Sequence, residues 1–231
     1  TWEQLTKDNP ELDTFDLRYL QAEIAVYQEE FELAKKIMEP LLEPLRQKAP
    51  SINLIRVLTG LAVVLDWLGD YGKSMPLHHK AFEVAKTLGA RHLQADVVNN
   101  MLWNAITLKQ TQSILPLAEE TLALGEYNIS NTLRNNLAYA YLSLGQLEQA
   151  QKHYQDITRY SADPTLLCFA YSHLVTIFYQ TNQIQESKKS LEQALDCVFK
   201  TDFSISHIRV GIATLLYGND EQLALVKPLL V

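Results

Sequence analysis

The sequence predicts an all-α chain of short helices joined by tight turns. Three observations carry this. Apolar residues recur at i, i+3, i+4 and i+7, as in Leu61, Val64, Leu65 and Leu68, and again in Leu137, Tyr141, Leu142 and Leu144. β-branched runs with strict apolar–polar alternation are absent. Glycine and proline are sparse, 8 of each in 231 residues, and sit as punctuation. Gly69, Gly72, Gly145 and Gly218 interrupt apolar-periodic stretches, while Gly89, Gly125, Pro50 and Pro164 separate larger blocks.

The helices come in pairs that repeat. The clearest unit runs from Asn136 through Gly145 to Ala150, followed by His153-Tyr154. Leu137, Ala138 and Tyr141 pack its first helix, Gly145 turns the chain, and Ala150 follows Ala138 by twelve residues, where two helices cross closely enough to demand a small side chain. Taken in chain order, the same template fits Ala22 with Ala34, and then Leu61-Ala62 with Gly69, Ser74 and Ala81. Residues 100–117 align with 60–77 and bring Pro116 under Pro76. Val175 with Ser187, Leu191 and Ala194 gives the next unit, and Ile212, Gly218 and Ala224 a weaker last one. The anchors lie near 22, 62, 102, 138, 175 and 212, spaced by 40, 40, 36, 37 and 37 residues. Pro76 and Pro116 are expected near the starts of second helices, where the first N–H groups have no partner. Asp70 and Asn182 are expected to cap second helices. Pro40 and Pro44 predict a kink or early end, then an irregular link over 45–53.

The Leu-Ala-x-x-Tyr, Gly and Ala pattern of 137–150, with its copies along the chain, resembles the tetratricopeptide repeat family, whose helix–turn–helix unit is about 34 residues long. The spacing here is a few residues longer throughout. Lengthened repeats with Leu-Gly after the second helix (Leu88-Gly89, and Leu122-Ala-Leu-Gly125) resemble the sensor arrays of large bacterial transcription regulators of the maltose-regulator and LuxR types. They are also similar to repeats of kinesin light chain and of cytosolic peptide receptors. The resemblance implies a right-handed α-solenoid of about six helix pairs in one domain, 1–231, with repeats at roughly 12–45, 53–89, 92–126, 130–162, 165–200 and 204–231.

In that family the first helices of the pairs line a concave groove. Carried over residue by residue, the resemblance places Arg56, Thr59, Val63, Asp66 and Trp67 there, with Asp96, Asn99, Asn100, Trp103 and Ile106 from the next unit. It adds Asn135, Asn136, Tyr139 and Ser143, then Ser172, Thr176, Tyr179 and Gln180, and Asp16, Tyr19, Glu23 and Tyr27 from the first unit. Of these, Arg56, Thr59, Asn99, Asn100, Trp103, Asn135, Asn136, Tyr139, Ser172, Thr176 and Tyr179 are the candidate ligand contacts. Amides and hydroxyls at these positions bond a peptide backbone, and aromatic faces take apolar side chains. Each Asn has a plain alternative in bonding a neighbouring helix end. For Trp103 and Tyr139 the alternative is core packing, and Trp67 suits a wedge at its turn. Only Arg56 and Arg134 are near positions for holding a carboxylate, so an acidic C-terminal tail is disfavoured as a partner.

Charge and chemistry narrow the function. Twenty Lys and Arg against 27 Asp and Glu, net −7, argue against direct nucleic-acid binding. No apolar run approaches the ~20 residues that span a bilayer. Two cysteines exclude a disulfide scaffold, and Cys168 and Cys197 lie among apolar residues as inert thiols. His78-His79 points about 100° apart on a helix, so both read as ordinary polar residues. Glu29-Glu30 and Glu119-Glu120 read as solvent-facing pairs. No phosphate loop or nucleophile motif occurs. The expectation is a non-catalytic cytoplasmic binding module without cofactors, taking a protein or peptide, with a small-molecule effector as the other occupant. Its setting is the sensor or interaction domain of a bacterial regulator, excised from a longer chain; the alternative is a stand-alone scaffold or co-chaperone-like adaptor. The apolar end (Leu223, Leu225, Val226, Leu229, Leu230 and Val231) is expected to dock on another subunit or a following domain.

Overall fold

A computed structural model describes residues 14–124, 131–200 and 204–226. These residues form helices and no strands. In chain order the helices are α1 (Phe15–Tyr27), α2 (Phe31–Arg46), α3 (Ile52–Trp67), α4 (Tyr71–Thr87), α5 (Arg91–Thr107), α6 (Thr111–Leu124), α7 (Asn131–Ser143), α8 (Leu147–Tyr160), α9 (Pro164–Gln180), α10 (Ile184–Val198), α11 (Ser204–Tyr217) and α12 (Asp220–Val226). The fold is the all-α helix–turn–helix repeat class. The chain forms two compact units, Thr1–Lys109 and Gln110–Val231. In the first, α1 packs on α2, α2 on α3, α3 on α4 and α4 on α5, and the first helices of successive pairs, α1, α3 and α5, also touch. In the second, α7, α9 and α11 do the same.

The turns inside the pairs are built one way. The backbone is left-handed at Glu29, Gly69, Lys109, Gly145 and Asn182, each seven residues after the anchor of its unit, Ala22, Ala62, Leu102, Ala138 and Val175. In four of these turns the N–H of the next residue reaches back across the helix end: Glu30 to Ala25, Asp70 to Leu65, Gln146 to Tyr141 and Gln183 to Phe178, at 2.7–2.9 Å. These satisfy carbonyls that the helix end would leave open. A second helix entered from such a turn has no side-chain cap: none is made at Glu30, Asp70, Gln146 or Gln183. Capping falls instead on the first helices, from Thr14, Ser51 and Asp163, the last with Pro164 at the first helical position. Asp70 and Asn182 therefore do not cap as expected. Asp70 pairs with Lys73 at 2.5 Å, and Asn182 is the left-handed residue of its turn.

Left-handed backbone costs a residue with a Cβ roughly 1–2 kcal/mol, and Asn bears it best. A Cβ on Gly69 would meet nothing within 4 Å, so it is the backbone conformation and not space that favours glycine there. Glu29 occupies the equivalent place at φ 61°. We expect Glu29→Gly to stabilise the first unit by about 1 kcal/mol and Gly69→Ala to destabilise it by a similar amount. Urea unfolding followed by tryptophan fluorescence reads this, because Trp2, Trp67 and Trp103 all precede residue 110. A lower midpoint for Glu29→Gly would contradict it.

The crossings use the small residues. Ala22, Ala34, Ala62, Ser74, Ala138 and Ala150 are completely buried. In the fifth pair the Ser187 hydroxyl donates to the Val175 carbonyl at 2.9 Å, directly across the crossing. The prolines depart from expectation. Pro76 and Pro116 are each the sixth residue of their helices, inside rather than at the start. The helix survives because the carbonyl that Pro76 leaves unbonded belongs to Gly72, an exposed residue with no side chain to crowd the ring. Pro40 and Pro44 do not end α2 early: it continues to Arg46, and both prolines lie on its exposed side, where water reaches the freed carbonyls.

Candidate functional site

In the first unit, side chains of α1, α3 and α5 enclose a groove of about 340 Å³. Val26, Ile55, Val63, Leu93 and Val97 form apolar walls with Met38 from α2, and Tyr19, Glu23, Arg56, Thr59 and Asp96 supply the polar groups. Gly60 sits among them, with Tyr19 Oη and Met38 Cε each 3.1 Å from where a Cβ would stand. Glycine in mid-helix costs about 1 kcal/mol relative to alanine, and here it lets Tyr19 approach α3. The Tyr19 hydroxyl donates to the Arg56 carbonyl at 3.1 Å. The Arg56 guanidinium lies 4.3 Å from the centre of the Tyr19 ring and 3.7 and 4.0 Å from the carboxylates of Asp16 and Glu23. Those ion pairs are long and half-exposed, so they orient Arg56 more than they stabilise the fold. Burial raises the Tyr19 pKa, keeping it a neutral donor. Burial also raises the Asp96 pKa. The Thr59 hydroxyl is enclosed without a hydrogen-bond partner.

Of the expected contacts, the structure brings Arg56 and Thr59 together in this groove, with Val63, Asp96, Tyr19 and Glu23. Asn99 and Asn100 are half-buried on α5. Trp103 is 54% exposed, which removes core packing as its role. Trp67 is also mostly exposed and stacks on Phe31, with ring centres 5.5 Å apart. Asp66 turns away from the groove. Its carboxylate binds His78 Nε2 at 2.9 Å and accepts from Asn104 Nδ2 at 2.9 Å, and the same amide nitrogen donates to Ser74 at 3.0 Å. His78 is therefore not an ordinary polar residue: it is completely buried and joined to α3, while His79 is exposed.

In the second unit, Asn135 donates to Asn136 at 3.2 Å, and both are half-buried. Tyr139 lies 5.7 Å from the ring of His173, which stacks on buried Tyr154 at 4.9 Å. Arg209 donates to His173 Nε2 at 2.8 Å and lies over the rings of Phe169 and Tyr139. Burial and the adjacent Arg209 push the His173 pKa down to about 3. Ser172 does not face a groove: it is buried and donates to the Phe169 carbonyl at 2.9 Å. Thr176 is half-buried and Tyr179 is exposed against Tyr217. Arg134 is buried and bonded to Asp156 at 3.0 Å, so it holds no ligand carboxylate. Glu119 is not simply solvent-facing, since it accepts from Tyr141 at 2.7 Å and meets His153 at 3.1 Å. The cysteines are buried as expected, and burial raises both thiol pKa values, Cys168 to about 12. The side chains of Leu223, Leu225 and Val226, and all of 229–231, lie outside the described residues. Among the described residues no group of three His, Cys, Asp or Glu is placed to hold a metal, and no helix is long and apolar enough to cross a membrane.

The α7–α8 pair has the small-residue crossing and the glycine turn together, and the family comparison falls on it. Residues 132–164 match the tetratricopeptide repeat. This repeat is the segment whose pattern is clearest in the sequence. No curated protein sequence is significantly similar to the chain. Solved structures share the tetratricopeptide-like fold over nearly its whole length. PilW, a type IV pilus biogenesis factor, superposes with TM-score 0.68 at 12% identity, over 94% of this chain and 91% of that one. A Rap protein complexed with competence and sporulation factor gives 0.69 at 15%, over 98% and 67%. The apo quorum sensor NprR from B. thuringiensis gives 0.65 at 15%, over 99% and 68%. At these identities the likeness establishes the fold.

Proposed function

We propose that the chain is a non-catalytic module that binds a protein or peptide on the faces of its first helices, acting as the sensor or interaction domain of a bacterial transcription regulator. The observation that carries the binding reading is the groove of α1, α3 and α5, apolar in its walls and edged by Arg56, Thr59 and Asp96. Pockets of a few hundred Å³ with few, placed polar groups are the usual form of a ligand site. The regulator setting is supported by the lengthened repeats and by the fold shared with a quorum sensor and with a Rap protein complexed with a factor. Cytoplasmic location goes with that setting. A second reading is a stand-alone scaffold, since the same fold is found in PilW, a pilus biogenesis factor. The complete open reading frame separates the two, because an adjoining ATPase or DNA-binding domain belongs only to the first.

A displayed random library of roughly twelve-residue peptides, selected on the immobilised chain, supplies ligands. We expect a synthetic enriched peptide to lose about tenfold in affinity when Arg56→Ala and Thr59→Val are combined, as read by fluorescence anisotropy. Unchanged affinity would move the site elsewhere. No enrichment would remove peptide binding.

A further inference from the structure

The groove of the first unit carries a charge imbalance that points to the chemistry of its occupant. Its single cation, Arg56, is already shared between Asp16 and Glu23 and rests on the Tyr19 ring. Asp96, on the α5 side beside Leu93 and Val97, forms no hydrogen bond or ion pair among the described residues; the titratable side chain nearest in its field is that of His92. Asp96 is exposed at the edge of the groove, so a cation carried by an occupant can reach it without displacing an internal partner. The carboxylates around the groove outnumber its cation, and the whole chain is net −7. Resting on the binding reading above, we propose that this groove takes a lysine or arginine side chain of a partner peptide, its aliphatic stem against Val63, Leu93 and Val97 and its cationic head on Asp96. Arg56 of α3, its guanidinium held against α1 by Asp16 and Glu23, repels that head and so orients it toward α5. A long basic side chain suits such a site because its stem is apolar and only its tip is charged. Steering by the acidic chain speeds encounter with a basic peptide in a salt-dependent way.

The test is a double-mutant cycle on one library-selected peptide, comparing its basic residue with norleucine and wild-type protein with Asp96→Asn. Each single change is expected to weaken binding about tenfold or more, and the two together no more than either alone, because one contact is lost once. Thermal unfolding of Asp96→Asn is expected at or above the wild-type midpoint, since Asp96 has no internal partner to lose. Selected peptides that lack a basic residue, or that bind equally well with norleucine, overturn the proposal while leaving groove binding intact. A simple diamine such as 1,5-diaminopentane binding as tightly as the peptide overturns the peptide as occupant. Failure to enrich any peptide overturns both readings together.

Discussion

Asp66→Ala is expected to destabilise the first unit by about 3 kcal/mol. Asp66 closes a polar cluster between α3, α4 and α5. Its two carboxylate oxygens take His78 Nε2 and Asn104 Nδ2, each at 2.9 Å, while His78 has no exposure at all. His78 Nδ1 has no partner, so Nε2 is the atom that carries the proton and donates to Asp66. Alanine strands that donor and leaves the Asn104 amide with Ser74 alone. Each stranded buried donor costs about 1–3 kcal/mol, far more than the net value of the bond it lost. Asp66→Asn retains one carbonyl acceptor and should cost less. Asp66→Leu combined with His78→Phe should recover part of the loss, because the His78 donor goes with its acceptor. Urea unfolding followed by tryptophan fluorescence measures all three, and a loss under about 1 kcal/mol for Asp66→Ala would mean that the cluster is not closed in this way.

Acidification is expected to loosen the second unit through His173. Its folded pKa is near 3 against about 6.5 unfolded, so between those values the unfolded chain binds the additional proton. Stability is then highest above about pH 6.5 and falls as the pH drops toward 3. From pH 7 to pH 5 this one group removes about 2 kcal/mol. The His153 pKa is lowered in the same direction, chiefly by burial against the opposing pull of Glu119, and adds to the slope. The physical cause is local: Arg209 donates to the unprotonated Nε2 of His173, and a proton on that nitrogen would break the bond and place two cations together. His173→Gln, which offers a neutral acceptor, should flatten the dependence. Hydrogen exchange of α9 amides measured across this pH range reads the effect, and an identical slope in wild type and variant would contradict it.

The parts of the fold legible in the sequence are those written at fixed separations. The anchor and the crossing partner twelve positions on are local in one helix pair, so the repeat shows them, whereas the left-handed turns at Glu29, Lys109 and Asn182 carry no glycine to mark them and are not read from the sequence. The family resemblance, carried over by helical register, assigned Arg56, Thr59, Val63 and Asp96 to a groove, and these residues line the pocket of α1, α3 and α5. It failed for Asp66 and Ser172, because helical register gives a direction and not a partner. Asp66 is drawn inward by His78 and Asn104 from two other helices, and Ser172 by a carbonyl of its own helix. His173 and Arg209 were missed for the same reason. They are 36 residues apart and meet only when α11 packs on α9. The one available signal was that Tyr139, His173 and Arg209 recur at near-repeat spacing on first helices.

On the proposed function, a peptide occupies the first-helix groove of the first unit. Amide hydrogen exchange with and without a library-selected peptide tests it most directly. Bound peptide is expected to slow exchange in α1, α3 and α5, around Tyr19, Arg56 and Asp96, and to leave the outer faces of α2 and α4 unchanged. Slowing confined to α2 and α4, or to neither set of helices, would contradict it.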